Sequence, residues 1–262
     1  MAMAFNLVGK INYILYITQN YPEWFLIFIN KLLKKGITKL RLKNGLIILG
    51  GKRSLILDIA DEIFLQKVYN PKFMSIHTGN TVIDIGANIG IFSLYAAMEG
   101  AKKIYTYEPL PENIPLINQN FQANKFIRPV IIEAAVTNKK GEGRLYLGDS
   151  DSHGLLFNHD YKKKFTKFIK VSTTTLREII HVHKIKKANF LKIDCEGSEG
   201  LIIMSTPISI LKKIDKIAIE YHDGVSRYSH NDIIGKLKRG GFQTKLKVID
   251  GFLGYIYAWR KK

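Results

Sequence analysis

The chain is poor in cysteine and in acidic residues. Its 262 residues include one cysteine, Cys195, which excludes an internal disulfide and a zinc site built from several cysteines. A reduced cytoplasm is the compartment that fits this content best. Lys and Arg number 40 against 22 Asp and Glu, a net charge of +18. This charge favours acidic partners such as nucleic acid, anionic lipid or phosphorylated substrates, and a general lysine bias without a partner explains it equally well.

Long apolar runs are also missing, and none reaches the ~20 residues that a membrane span needs. The most apolar stretch, "INYILYITQNYPEWFLIFINKLL" at residues 11–33, is broken by Asn12, Thr18, Gln19, Asn20, Pro22 and Glu23. The first residues of the sequence, "MAMAFNLVGK", lack the charged region and the clean apolar core of a signal peptide. The stretch predicts two short amphipathic helices. They cover one face of the domain, or they make peripheral contact with a membrane through residues 11–35.

The rest of the chain divides into an extension and a larger domain. We predict a helical extension with short antiparallel strands at 1–57, and one domain at 58–262 whose first helix has Asp58 as its N-cap. From residue 80 onwards, strands alternate with helices, which predicts a doubly wound, mostly parallel α/β sheet. The last two strands have no helix between them and should form an antiparallel hairpin at one edge. A polar, glycine-containing insertion at 139–170 interrupts the alternation.

The stretch "VIDIGANIG" predicts a ligand-binding turn after a strand. Asp84 ends the strand, and Gly86, Asn88 and Gly90 form the turn. Asn88 replaces the second glycine of the dinucleotide fingerprint, which weakens a pyrophosphate interpretation. A carboxylate beside open backbone N–H groups suits a ligand with a cationic amine, such as S-adenosylmethionine. Glu108 follows the next strand, where an acid accepts the hydroxyls of a ribose.

The stretch "FLKIDCEGSEG" places three carboxylates after an apolar strand. In a doubly wound sheet, ligands bind beyond the carboxyl ends of the strands. We therefore predict that Asp194 acts in catalysis or in positioning the methyl acceptor, and that Glu196 supports it. Glu199 is expected to be an ordinary acid in the first turn of a helix. Lys192 would offset the repulsion among the carboxylates.

The stretch "IAIEYH" contributes two more candidates from the following strand. Glu220 and His222 are two positions apart and therefore lie on the same side of that strand. Asp194 and His222 are the candidate bases for removing a proton from an acceptor hydroxyl. The acids and histidines of residues 149–160 match no metal-binding template, and we predict no metal site.

These motifs together resemble the FkbM family of S-adenosylmethionine-dependent methyltransferases, over roughly residues 60–225. The resemblance implies a seven-stranded class I methyltransferase fold and methyl transfer, mostly to oxygen. It assigns S-adenosyl-L-methionine binding to these positions: Asp84, Gly86, Asn88, Gly90, Glu108, Glu133 and Ala134. The chain departs from the family at Arg177, where an Asp is usual, and residues 1–55 have no clear counterpart.

Three functions remain open. The first is a cytoplasmic O-methyltransferase acting on a sugar, a glycan or a small metabolite. The second is an RNA methyltransferase, because residues 161–187 carry nine Lys or Arg, one acid and three aromatic rings. Nucleic acid is the less favoured partner, since no RNA-binding module is recognisable. The third is a non-catalytic binding protein that keeps the fold. The sequence does not specify the oligomeric state.

Overall fold

The computed structural model describes residues 7–33, 35–51, 55–147 and 167–261. Two helices and a short antiparallel hairpin come first: α1 Leu7–Asn20, α2 Trp24–Leu32, β1 Lys39–Arg41 and β2 Ile47–Leu49. Helix α3 (Ile56–Ala60) follows and continues into a π-helical turn, Asp61–Leu65. The predicted helical extension with antiparallel strands is therefore present in these described residues.

The remaining described elements alternate as predicted. The strands and helices up to the insertion are β3 Thr81–Ile85, α4 Ile91–Met98, β4 Lys103–Tyr107, α5 Asn113–Asn124, β5 Val130–Ile132, β6 Ala135–Val136 and β7 Gly141–Tyr146. Those after it are β8 Phe168–Thr174, α6 Leu176–Val182, β9 Phe190–Ile193, α7 Glu199–Ser205, α8 Ile208–Leu211, β10 Lys216–His222, α9 His230–Arg239, β11 Gln243–Val248 and β12 Leu253–Trp259.

The main sheet has seven strands in the order β11-β12-β10-β9-β3-β4-β5. Strand β12 runs antiparallel to both of its neighbours, and the other pairs are parallel. The predicted doubly wound sheet and its antiparallel edge hairpin are confirmed. Because β3, β4, β9 and β10 are parallel, the loops that follow them meet at one edge of the sheet.

Two apolar layers cover the sheet. One contains the buried side chains of Ile17 in α1, Tyr21 directly after α1 and Phe92 in α4, so the extension shares a core with the larger domain. The other layer contains side chains of α6, α7 and α9, such as Ile179 and Ile202. The boundary between residues 57 and 58 stays a prediction.

One local prediction needs correction. Helix α3 begins at Ile56, which places Asp58 in its first turn and not at the N-cap, where Leu55 lies. The helix includes Ile56 and Leu57 because their side chains are buried in the core. In the first turn, the negative charge of Asp58 still stabilises the helix by interacting with its dipole. The insertion contributes β7 and β8, which form a small sheet with β6. Its residues 148–166, with the acids and histidines considered for a metal, lie outside the described residues.

Candidate active site

The turn between β3 and α4 has a backbone that needs small or permissive residues. Gly86, Asn88 and Gly90 have φ angles of +74°, +52° and +81°. Glycine adopts this left-handed region without strain, and asparagine is among the side chains that tolerate it best. A Cβ on Gly86 would lie 1.7 Å from the carbonyl oxygen of Asp194. Only glycine therefore allows this turn to pass against the loop after β9.

Asp84 supports the turn from beneath. Its side chain is fully buried, and the Ser93 hydroxyl donates to its Oδ2 at 2.7 Å. Its Oδ1 lies 3.5 Å from the Lys192 ammonium and accepts no hydrogen bond from the described residues. Burial raises the pKa of Asp84, while Lys192 and Ser93 act in the opposite direction.

Glu108 follows β4 and points at the same turn. It is almost fully buried, and it accepts hydrogen bonds from the backbone N–H of Asn88 (2.7 Å) and of Leu110 (3.0 Å). The side-chain amide of Asn113 donates a third bond at 3.2 Å. Burial raises the pKa of Glu108 to about 7, and these donors limit the rise. Glu108 therefore presents a fixed acceptor beside the turn.

Glu133 and Ala134 lie between β5 and β6. Glu133 is exposed and Ala134 is buried. Because β5 pairs in parallel with β4, these residues and Glu108 lie at the same edge of the sheet. The structure thus brings the predicted donor-binding residues to one end of neighbouring strands; their contact with a donor stays a prediction.

Lys192 connects this donor side to the loop after β9. Its ammonium donates to the Gly86 carbonyl at 2.7 Å and lies 3.2 Å from Asp194 Oδ2. Burial alone would lower the pKa of Lys192, but the carboxylates of Asp194 and Asp84 raise it above its usual value. Lys192 is therefore a permanent buried cation between two carboxylates, as the sequence suggested.

Tyr69 is the residue of this cluster that sequence reasoning missed. Its hydroxyl donates to Asp194 Oδ2 at 3.0 Å and also bonds the Glu220 carboxylate. Burial, with the Asp194 charge, raises the pKa of Glu220 to about 8. Tyr69 lies 125 and 151 positions from these two partners, so no local pattern could have indicated it.

His222 lies between two acids of the β9 loop. Its Nε2 is 3.2 Å from Glu196, and its Nδ1 is 3.3 Å from Glu199. Burial lowers the pKa of His222, but the hydrogen bond and charge of Glu199, with the charge of Glu196, raise it to about 10. The imidazole is therefore protonated at neutral pH. Burial raises the pKa of Glu196 to about 7, with Asp194 adding to the rise.

Glu199 is more than the ordinary first-turn acid we expected. It begins α7, but its side chain is buried. It accepts hydrogen bonds from the backbone N–H groups of Cys195 and Gly197, both at 3.0 Å. These bonds fix the loop that carries Asp194 and Glu196, where Glu196 itself has a φ of +53°. The acid is thus a structural centre of the loop.

Asp194, Glu196 and His222 also have the geometry of a cation site. Each offers one ligand atom, and these atoms lie within 4.8 Å of one another. Carboxylates and imidazole are ligands for several divalent metals. Lys192 and the protonated His222, however, already supply positive charge to the same acids. The expectation that the site holds no metal stays a prediction.

The donor side fits S-adenosylmethionine. Glu108 is a buried acceptor suited to ribose hydroxyls, and the turn at residues 86–90 is held close to it. Asp84 lies fully buried beneath this turn, and its Oδ1 is 3.5 Å from the Lys192 ammonium. The predicted acceptor side, with Asp194, Glu196, Glu220 and His222, adjoins this turn through Lys192.

Comparisons with known proteins agree with this geometry. A family model described as "Methyltransferase FkbM domain" matches residues 84–244. The 31-O-demethyl-FK506 methyltransferase FkbM of Streptomyces tacrolimicus is 23% identical over 71% of this chain and 82% of its own length. The AMB antimetabolite synthetase AmbE of Pseudomonas aeruginosa is 23% identical over 72% of this chain, which spans only 11% of AmbE.

A solved structure shows the same fold. The methyltransferase FkbM of Methylobacillus flagellatus KT matches with a TM-score of 0.50 and 15% identity, over 74% of this chain and 47% of that one. The family model covers more than half of the chain and includes Asp84, Glu108, Asp194 and His222. The chain therefore belongs to the FkbM family of methyltransferases, and membership implies S-adenosyl-L-methionine as the cofactor.

Proposed function

We propose that the protein is an S-adenosylmethionine-dependent O-methyltransferase that methylates a hydroxyl of a sugar, a glycan or a small metabolite. The observation that carries the proposal is the pair of carboxylates, Asp194 and Glu220, bridged by the Tyr69 hydroxyl. They lie at the carboxyl ends of β9 and β10, next to the donor turn. A hydroxyl must lose its proton during methyl transfer, and a carboxylate at this position is a suitable base.

The residues have separate roles in this proposal. Bound S-adenosylmethionine would supply the methyl group on a positively charged sulfur. Glu108 and the turn at Gly86 hold the donor, while Asp194 accepts the proton of the acceptor hydroxyl. The Lys192 ammonium lies 3.2 Å from Asp194 Oδ2 and holds this carboxylate in place beside the donor turn. Tyr69 fixes the orientation of Asp194 and shares its hydrogen bond with Glu220.

The pKa of His222 argues against its role as the base. A group that is protonated at neutral pH cannot accept the proton, and the two flanking acids hold His222 in that form. We assign His222 the role of a cation that orders Glu196 beside the acceptor. Glu220 is the second candidate base after Asp194, but because its pKa is raised to about 8, it would be in the deprotonated form that a base requires only above that pH.

Support for an oxygen acceptor also comes from a relative. The Streptomyces tacrolimicus protein is named a 31-O-demethyl-FK506 methyltransferase, which is a transfer to oxygen. The acceptor of the present chain is a matter for experiment. We place the reaction in the cytoplasm, in keeping with the single cysteine, and include peripheral contact with a membrane through residues 11–35.

The test is transfer of a labelled methyl group from S-adenosylmethionine to fractions of cell extract. We expect label in sugars, glycans or small metabolites as an ether, which resists mild alkali. Label in RNA would overturn the proposal in favour of the nucleic-acid alternative. Donor binding without transfer to any fraction would instead favour a binding protein that keeps the fold. Asp194→Asn, which removes the proposed base, is the matched inactive control.

A further inference from the structure

The outer face of the two N-terminal helices is apolar. Eight large apolar side chains there are 42% to 83% exposed: Ile14, Leu15, Trp24, Phe25, Leu26, Ile29, Leu32 and Leu33. In the described residues, the other exposed large apolar side chains are scattered over positions 55–252. A concentration of this kind within 20 residues marks an interaction surface. We call these eight residues the outer face.

The opposite side of the same helices is already buried. Ile17, Tyr21 and Ile27 are at most 3% exposed and belong to the core that contains α4. A helix that is apolar on all sides is stable only when both sides are covered. Trp24 makes edge contacts with Phe25 and Phe28, so the outer face presents clustered aromatic rings. The core covers the inner residues of the two helices. The outer face is exposed and is therefore available to a partner.

Positive charge lies beside the outer face. The backbone N–H of Lys43 donates to the Asn20 carbonyl at 3.0 Å, which holds the β1–β2 hairpin against the junction of α1 and α2. Lys39, Arg41 and Lys43 of this hairpin region are exposed, as is Lys35. Residues 1–57 contain nine Lys or Arg against a single acid, Glu23. The apolar surface and the basic surface are therefore adjacent.

We propose that the outer face docks on an anionic lipid surface. Lipid of this kind offers both complements at once, hydrocarbon for the outer face and phosphate for the lysines and arginine. Nucleic acid offers only the charge. A second copy of the chain offers apolar surface but brings the same positive charge against it. In the described part of the chain, no helix has the length and apolar character to span a bilayer, so the docking is peripheral.

A chain of contacts runs from the end of α1 towards the candidate active site. The hydroxyl of Tyr21, which directly follows α1, bonds the carboxylate of Asp61, and Asp61 opens the turn that leads towards Tyr69. Tyr69 in turn contacts Asp194. Docking itself needs no catalysis, and the inference does not rest on the proposed methyl transfer.

The test is flotation of the full chain with vesicles, either of phosphatidylcholine alone or with about a third phosphatidylserine. We expect binding to the anionic vesicles, at least tenfold weaker binding to the neutral ones, and weakening by salt, since exposed charges are screened. A variant with Trp259→Phe leaves Trp24 as the only tryptophan, and its emission should shift to the blue on binding.

Two surface variants separate the apolar and the charged contributions. Trp24→Ser with Phe25→Ser and Ile29→Ser removes the centre of the outer face, and Lys39→Glu with Arg41→Glu and Lys43→Glu reverses the adjacent charge. Each should weaken binding at least tenfold with circular dichroism unchanged, because stable attachment requires both signals. The matched control, Lys102→Glu with Lys103→Glu and Lys125→Glu, makes the same charge change at exposed sites elsewhere and should bind normally.

Several results would overturn the proposal. Failure of the wild-type chain to bind anionic vesicles is the simplest. Equal loss in the control variant would show a general effect of net charge, and normal binding by the serine variant would show that the outer face is not involved. A dimer, measured by light scattering, that dissociates in the serine variant would assign the face to a second copy of the chain.

Discussion

The donor side and the acceptor side of the candidate active site are built differently. The donor side comes from one continuous stretch, in which hydrogen bonds join Asn88 of the turn, Glu108 and Asn113. The acceptor side joins three separate segments through Tyr69, the β9 loop and the end of β10. The comparison shows that a donor site can be recognised from local spacing, whereas an acceptor network depends on tertiary contacts.

The two sides meet at Gly86 and Lys192. Lys192 donates to the Gly86 carbonyl and lies beside Asp194, and the N–H of Asp194 donates to the Ile85 carbonyl at 3.1 Å. A substitution at this contact should therefore affect both donor binding and turnover. A substitution far from the contact should affect only the property that depends on its own side.

The largest effect is expected for Gly86→Ala. The new Cβ would meet the Asp194 carbonyl at 1.7 Å, and the residue has a left-handed backbone. Backbone atoms cannot move aside cheaply, so we expect loss of S-adenosylhomocysteine binding and a lower melting temperature. Gly79→Ala is the matched control, because its φ is +86° and its Cβ would meet no atom within 4 Å. It should cost only ~1–2 kcal/mol in the free energy of unfolding. Equal effects of the two substitutions would contradict the close approach of the two sides.

Asp194→Asn comes next, because it removes the proposed base but keeps the shape of the side chain. We expect turnover to fall about 100-fold, which is within the usual contribution of a general base. Asp215→Asn is a control at the opposite end of the sheet, where Asp215 pairs with Lys187, and it should retain turnover. Near-normal turnover in Asp194→Asn would move the base to Glu220.

Tyr69→Phe should lower turnover about tenfold, since a hydrogen bond to a charged group contributes about 1.5 kcal/mol. The control is Tyr257→Phe, which removes a buried hydroxyl that donates to the Val68 carbonyl and makes no hydrogen bond to Asp194 or Glu220. Both substitutions should lower stability slightly. Only Tyr69→Phe should change the pH profile of turnover. An unchanged profile would show that Tyr69 contributes to packing and not to the positioning of Asp194.

The last effect concerns the pH dependence of stability. The pKa values of Glu108 (about 7), Glu220 (about 8) and His222 (about 10) are all raised by folding. The folded state therefore binds more protons than the unfolded state, and stability is lost as pH rises through these values. The stabilisation by Glu108 and Glu220 decreases as the pH rises above their ordinary pKa of 4.5. The stabilisation by His222 decreases as the pH rises above its ordinary pKa of 6.5.

Melting temperatures measured without ligand should thus decrease steadily from pH 5 to pH 9. Glu108→Gln on the donor side should flatten the decrease up to pH 7, and Glu220→Gln on the acceptor side should flatten it up to pH 8. Glu112→Gln changes an exposed acid and should leave the curve unaltered. A melting temperature that increases over this range would contradict the burial of these acids.

The sequence predicted the parallel sheet, its edge hairpin and the donor turn, because strand periodicity and glycine spacing are local properties. The proximity of Asp194, Glu196, Glu220 and His222 could also be predicted, because neighbouring parallel strands end at the same edge of a sheet. The sequence could not predict Tyr69, which reaches the site from a segment before β3. Nor could it predict the burial of Glu199, because an acid at a helix start is usually exposed and only the packed loop shows otherwise.

Calorimetric titration of S-adenosylhomocysteine into Glu108→Ala and Asp194→Asn tests the separation of the two sides most directly. The loss of a charge-assisted hydrogen bond, about 1.5–3 kcal/mol, should weaken binding to Glu108→Ala by roughly 10- to 100-fold. Glu112→Ala, the exposed control, should bind normally. Asp194→Asn should keep most of the wild-type affinity, because we propose that its carboxylate faces the acceptor. Equal weakening of binding in Glu108→Ala and Asp194→Asn would contradict the account and place Asp194 in the donor pocket.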